Sequence, residues 1–136
     1  MRRSVLALAL LAMAGPAAAQ TDAEQFDLDC YIIGKGGEID RSRIEQRFSI
    51  DLTKDQFCRL SINGDCQVMP LVKRGRWLDL SYRFKAQGQD WETYRLYDRE
   101  SRSMDQVLRK VGEPGNPYGD LACEVRPFSG FRPGAS

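Results

Sequence analysis

The sequence has 136 residues, 42% of them apolar, with 20 basic and 19 acidic side chains and no histidine. A near-neutral chain with both signs interleaved lacks the basic excess or stripe of a nucleic-acid binder, so no nucleic-acid partner is expected. Without imidazole, Ser-His-Asp and Cys-His catalysis and His-ligated metals are excluded, which leaves carboxylate, lysine or tyrosine chemistry.

At the N-terminus, MRRSVLALALLAMAGPAAAQ runs from two arginines through the apolar stretch Val5–Ala14 to Gly15-Pro16 and the small residues Ala17–Ala19. This is the order of a secretory signal peptide, residues 1–19, with cleavage after Ala19. The apolar stretch is too short for a transmembrane helix, which needs about 20 residues. No later run is apolar enough either, so no membrane anchor is expected after cleavage. The expected product is an exported, soluble chain, periplasmic or secreted, with residues 20–136 forming a single β domain. Loss of Arg2 and Arg3 turns the formal charge of +1 into −1.

The body of the chain reads as strands. FDLDCYIIG, around Cys30, comes first. Gly34-Lys35-Gly36-Gly37 follows as a flexible turn that lacks the spacing of a phosphate-binding loop. EIDRSRIEQR is expected to begin as a helical turn. In RFSIDL, Phe48, Ile50 and Leu52 alternate with polar residues, the period of a half-buried strand. FCRLSI follows the turn TKDQ, and Lys73-Arg74-x-Arg76 reads as a solvated turn. RWLDLSYRF places Leu78, Leu80, Tyr82 and Phe84 on one face, and WETYRLYDR adds Tyr94 and Leu96 to the same expected core. SMDQVLRKV sets Met104 and Leu108 against Val107 and Val111; it is read as a strand, although its spacing also suits a short helix. DLACEVRPF, around Cys123, is last. Breaks at KRG, KAQGQD, DRESRS and GEPGNPYGD separate these segments. Short strands with polar turns predict an all-β fold, an antiparallel meander of about seven or eight strands curled into a small barrel or half-barrel.

All four cysteines, Cys30, Cys58, Cys66 and Cys123, lie beyond the leader. An even count in an exported chain argues for two disulfides, which small exported domains use to supplement a modest core. Zinc needs tighter spacing, usually with histidine, and a C-x-x-C redox pair is absent. No metal and no cofactor are expected. FCRLSINGDCQ holds Cys58 and Cys66 around Asn63-Gly64. A two-residue type I′ turn would send them to opposite faces. A three-residue loop makes them diagonal neighbours on one face, and a five-residue loop puts them directly opposite. The apolar pattern disagrees with the first arrangement and favours a Cys58–Cys66 staple. By elimination Cys30 pairs with Cys123, holding first and last strands together across a loop of about 90 residues.

The run Phe26-x-Leu28-x-Cys30, Ile50-Asp51-Leu52, Phe57-Cys58, Cys66 and Cys123-x3-Pro127-Phe128-Ser129-Gly130-Phe131 resembles small exported disulfide-containing bacterial β-proteins of uncharacterised function. The resemblance implies the β fold and the disulfides, and no activity.

Three function classes follow. The first is a binding or inhibitor module that acts on a protein partner by surface complementarity. The second is a lipocalin-like carrier of a small molecule, for which so short a chain leaves little interior room. The third is a carboxylate-dependent hydrolase, although no acidic residue stands out and none is assigned as catalytic. If Tyr94 and Leu96 face the core, alternation sends Trp77, Arg83, Trp91, Arg95 and Tyr97 to the other side. Large aromatics beside arginine are enriched at interfaces, so these five form the candidate binding face. Tyr118, in the proline-bearing loop 113–118, is a second candidate contact. The competing reading is that Pro127–Phe131 folds over those rings as a second small core.

Overall fold

The structure, a computed structural model, describes residues 23–61, 64–117 and 119–131. The expected leader and its cleavage point, Asn63 of the expected hairpin loop, and Tyr118 lie outside the described residues. Eleven strands and no helix are found among the described residues: β1 (Gln25–Ile32), β2 (Gln46–Asp51), β3 (Gln56–Leu60), β4 (Cys66–Pro70), β5 (Val72–Arg74), β6 (Trp77–Asp79), β7 (Tyr82–Ala86), β8 (Gln89–Asp98), β9 (Ser103–Lys110), β10 (Asn116–Pro117) and β11 (Leu121–Pro127). EIDRSRIEQR forms no helical turn and leads as an irregular connection into β2.

All pairings are antiparallel, in the order β4-β3-β2-β1-β11-β9-β8-β6-β5, with β10 beside β9 and β7 beside β8. The sheet curls until it is nearly a closed barrel. Across its interior the rings of Phe57 on β3 and Tyr82 on β7 lie 6.5 Å apart. The main path ends at β4 and β5, consecutive strands joined at the buried Leu71, while β7 and β10 each pair on one side only. First and last strands do pair, but in the middle of the sheet, so the bridge between them is not what removes the edges.

More strands form than the seven or eight expected, partly because RWLDLSYRF divides. Its register against β8 runs on unbroken, from Asp79↔Leu96 to Tyr82↔Thr93. Between them the Arg95 N–H donates to the Ser81 hydroxyl, 3.1 Å away, while the Asp79 carboxylate accepts the Ser81 N–H. Side chains thus take over part of the ladder at this point.

The core gathers Phe26 and Leu28 from β1, Phe48 and Ile50 from β2, Phe57 from β3, and Leu78, Leu80, Tyr97, Met104 and Leu121 from the far side. Each fully buried side chain of this size is worth about 1.5–3 kcal/mol of transfer free energy. Both expected disulfides are present. Cys30 and Cys123 stand directly opposite in the β1–β11 ladder, Cα atoms 4.0 Å apart. Leu60 is paired with Cys66, which makes Cys58 and Cys66 diagonal neighbours at 5.3 Å, the arrangement a three-residue loop requires.

The expected phase of β8 is overturned. The two-residue turn Gln87-Gly88, with φ of 53° and 72°, pairs Ala86 with Gln89. Positive φ at both positions is the type I′ geometry, and its even parity fixes everything beyond it. Phe84 then faces Trp91, Tyr82 faces Thr93, and Leu78 faces Tyr97. Directly opposed residues share a face, so Trp91, Thr93, Arg95 and Tyr97 join the inner side. Tyr94 and Leu96, expected in the core, are 39% and 37% exposed on the outside. The C-terminal segment does not cover the tryptophans. Phe128 and Phe131 pack edge-on against each other, and Ser129 borders a hollow with Asp27 and Leu60.

Candidate ligand cavity on the inner face

The proposed binding residues do not make one surface. Trp77 and Arg83 point outward. Trp77 is stacked under the Arg76 guanidinium at 5.3 Å, and Arg83 donates to Glu92 at 3.1 Å. Glu92 also accepts from Arg109 at 2.6 Å. Burial alone would raise the Glu92 carboxyl, but Arg109, Tyr94 and Arg83 outweigh it and hold it below its ordinary value. These contacts satisfy the outer charges and leave no obvious site. Tyr97, only 1% exposed, lies in the core, where burial pushes its phenol up to about 12. Trp91 and Arg95 face inward.

The inward-facing residues converge on a cavity of about 320 Å³. One wall comes from β7 (Tyr82 and Phe84) and a second from β9 (Leu108, with Val107 at the margin). Arg59 on β3 closes the third side. Its polar part is built from Gln46 at the start of β2, Thr93 and Arg95 on β8, and Gln106 on β9. Gln46, Thr93, Arg95 and Gln106 are each at most 6% exposed. Simple alternation puts them there. Gln46 is in phase with Phe48 and Ile50, Gln106 with Met104, and Arg95 with Tyr97.

Gln106 is the hub of the polar set. Its Oε1 accepts from Gln46 Nε2 at 2.8 Å and from Arg95 Nε at 3.0 Å. Arg95 Nη1 donates to the Thr93 hydroxyl at 2.7 Å. The guanidinium also lies 5.3 Å from the centre of the Tyr82 ring and 5.7 Å from that of Phe48. Two polar atoms of this cluster have no hydrogen-bond partner among the described residues: Gln46 Oε1 and Gln106 Nε2. A buried polar group left unmatched costs about 1–3 kcal/mol. Burial would raise the Tyr82 phenol, yet the charge of Arg95 and hydrogen bonds from Arg95 and Arg59 bring it below its ordinary value. Arg95 and Arg59 are the charged side chains of the cavity lining.

Beyond Phe84 the inner face continues to Trp91, its direct neighbour on β8, which stacks against the Lys110 ammonium at 5.6 Å. A larger, open hollow of about 920 Å³ meets the cavity at Gln46 and Arg59, but its lining is dominated by Asp27, Arg43, Glu45 and Arg47. No acidic side chain lines the smaller cavity. Asp105 and Asp120 form a carboxyl pair in which loss of hydration, then the charge and hydrogen bond of Asp120, raises Asp105. Both are exposed and neither borders the cavity, so the pair offers no enclosed place for hydrolysis. Among the described residues no cluster of histidine, cysteine, aspartate or glutamate is placed to hold a metal, and no helix is long and apolar enough to cross a membrane.

Gln46, Arg59, Thr93 and Gln106 escaped the sequence reading. Their signal is a polar residue standing in phase with core positions, which becomes legible only when neighbouring strands are in register. Compared with protein-family models, curated proteins and solved structures, the chain finds no match.

Proposed function

We propose that the protein is an exported binding module of the carrier type, and that its ligand site is the inner-face cavity between β7, β8 and β9. The observation that carries this reading is the convergence of Gln46, Thr93, Arg95 and Gln106 on a space walled by Tyr82, Phe84 and Leu108, with Gln46 Oε1 and Gln106 Nε2 unmatched just behind its surface. A concave, mainly apolar pocket with a few convergent polar groups is the usual form of a small-molecule site. Export is supported by the leader-like N-terminus and by two disulfides, which persist in oxidising compartments.

The outer-face alternative, a protein-binding surface, rests on Tyr94 and Leu96, each more than a third exposed. The two readings separate in one binding assay. N-phenyl-1-naphthylamine, a neutral fluorescent probe, is expected to bind the oxidised protein one to one. Phe84→Ala should weaken it about fivefold or more, from lost apolar contact, and Tyr94→Ala and Leu96→Ala should leave it unchanged. Failure of the probe to bind, or losses at the outer positions equal to that at Phe84, would count against the cavity.

A further inference from the structure

The chemistry of the cavity goes beyond holding an apolar molecule. Its lining carries two guanidinium groups, Arg95 inside and Arg59 at the mouth, and no acidic side chain. Low-dielectric walls focus such a charge on whatever enters. An anionic head group is the natural complement of that charge.

The unmatched carboxamide atoms narrow the class. Gln106 takes two hydrogen bonds at its oxygen, one of them from Arg95, so its Nε2–H donor lies on the same small group as the guanidinium contact. It is buried just behind the cavity surface, and a small turn of the amide would bring it to a ligand carboxylate oxygen near Arg95. Gln46 Oε1 is the opposite case, an acceptor with no exposed surface of its own, which the same turn would offer to an N–H or O–H of the ligand. Gln46 and Gln106 are already hydrogen-bonded to each other, so the required donor sits close to the carboxylate. The remaining wall, Tyr82, Phe84 and Leu108, is apolar or aromatic and asks for a ring or a short hydrocarbon. About 320 Å³ lies near the low end of small-molecule sites, roughly 300–1,000 Å³, which suits a compact aromatic molecule better than a long chain.

Resting on the cavity reading above, we infer that the ligand is a small carboxylic acid with a hydrogen-bond donor beside its carboxylate and an apolar or aromatic tail, of the acylamino-acid or hydroxy-acid type. Arg95 and Gln106 hold the carboxylate, Gln46 accepts the neighbouring donor, and Tyr82 and Phe84 flank the tail.

Calorimetric titration of the oxidised protein with N-benzoylglycine and with its primary amide tests this directly. The acid is expected to bind at least about tenfold more tightly than the amide, the size of a charge-assisted hydrogen bond. Arg95→Gln should bring the acid down to the level of the amide, and Gln46→Leu should weaken both. Retained binding of N-phenyl-1-naphthylamine reports that each variant keeps its cavity. If Arg95→Gln fails to fold, the acid-to-amide ratio on the wild type and on the exposed-site variant Arg59→Gln decides. Equal affinity for acid and amide, or an acid affinity untouched by Arg95→Gln, overturns the inference. It is overturned as well if the naphthylamine binds but N-benzoylglycine neither binds nor displaces it; the cavity then stands without its anion preference. If the naphthylamine does not bind either, the cavity reading falls too.

Discussion

Replacing Cys30 and Cys123 together by alanine is expected to be the most damaging disulfide change, costing up to about 4–5 kcal/mol by loop-closure entropy. The pair is buried and directly opposed in the β1–β11 ladder, and it closes a loop with a sequence separation of 93. The Cys58–Cys66 staple spans a separation of 8, for which the same model gives about 2–3 kcal/mol. Thermal unfolding of the two double variants measures the difference. At about 4–8 °C per kcal/mol for a domain of this size, the Cys30/Cys123 variant should melt roughly 10 °C below the other. Equal melting temperatures would show that loop length is not what sets the contribution of the longer bridge.

The second large effect concerns β8. Tyr97→Ala removes a ring that is 1% exposed and packed with Leu78 and Met104 in the core, and should cost about 3–5 kcal/mol. Tyr94→Ala, three positions earlier on the outer side, removes a ring that stacks on Arg109 at 4.6 Å and is 39% exposed. A surface change of that kind should cost about 1 kcal/mol or less. Chemical denaturation of both variants reads the phase of the strand. A larger loss at Tyr94 than at Tyr97 would mean that the strand is turned the other way.

Much of the fold was legible because alternation and cysteine parity are local signals. Phe48 and Ile50 in RFSIDL, or Leu78 and Leu80 in RWLDLSYRF, identify a core face without knowledge of any neighbour. Cys58 and Cys66 could be placed from the few loop lengths that bring them to one side. The phase of β8 was not legible in the same way. WETYRLYDR carries Tyr94 and Leu96 on one face and Trp91, Arg95 and Tyr97 on the other, so hydrophobicity alone does not choose. The choice is made by the turn before it. Gln87-Gly88 pairs Phe84 with Trp91, and every inward residue downstream follows. The division of RWLDLSYRF at Leu80-Ser81 was hidden for a related reason, since a serine hydroxyl accepting a neighbouring strand's N–H leaves the alternation intact.

The cavity was illegible for a deeper reason. Its polar set comes from β2, β8 and β9, and β2 is separated from β9 in the sheet by β1 and β11. No segment of sequence contains more than two members of it. A glutamine at position 46 or 106 looks like a strand-end or solvent-facing residue until the curl of the sheet brings the two amides within 2.8 Å.

The central claim is that ligand binds on the inner face. Nuclear Overhauser contacts between N-phenyl-1-naphthylamine and the oxidised, isotope-labelled protein test it most directly. Contacts to Tyr82, Phe84 and Leu108, with displaced side-chain amide signals of Gln46 and Gln106, are the expected result. Contacts confined to Tyr94, Leu96 or the exposed edge residues Val68 and Val72 would contradict it.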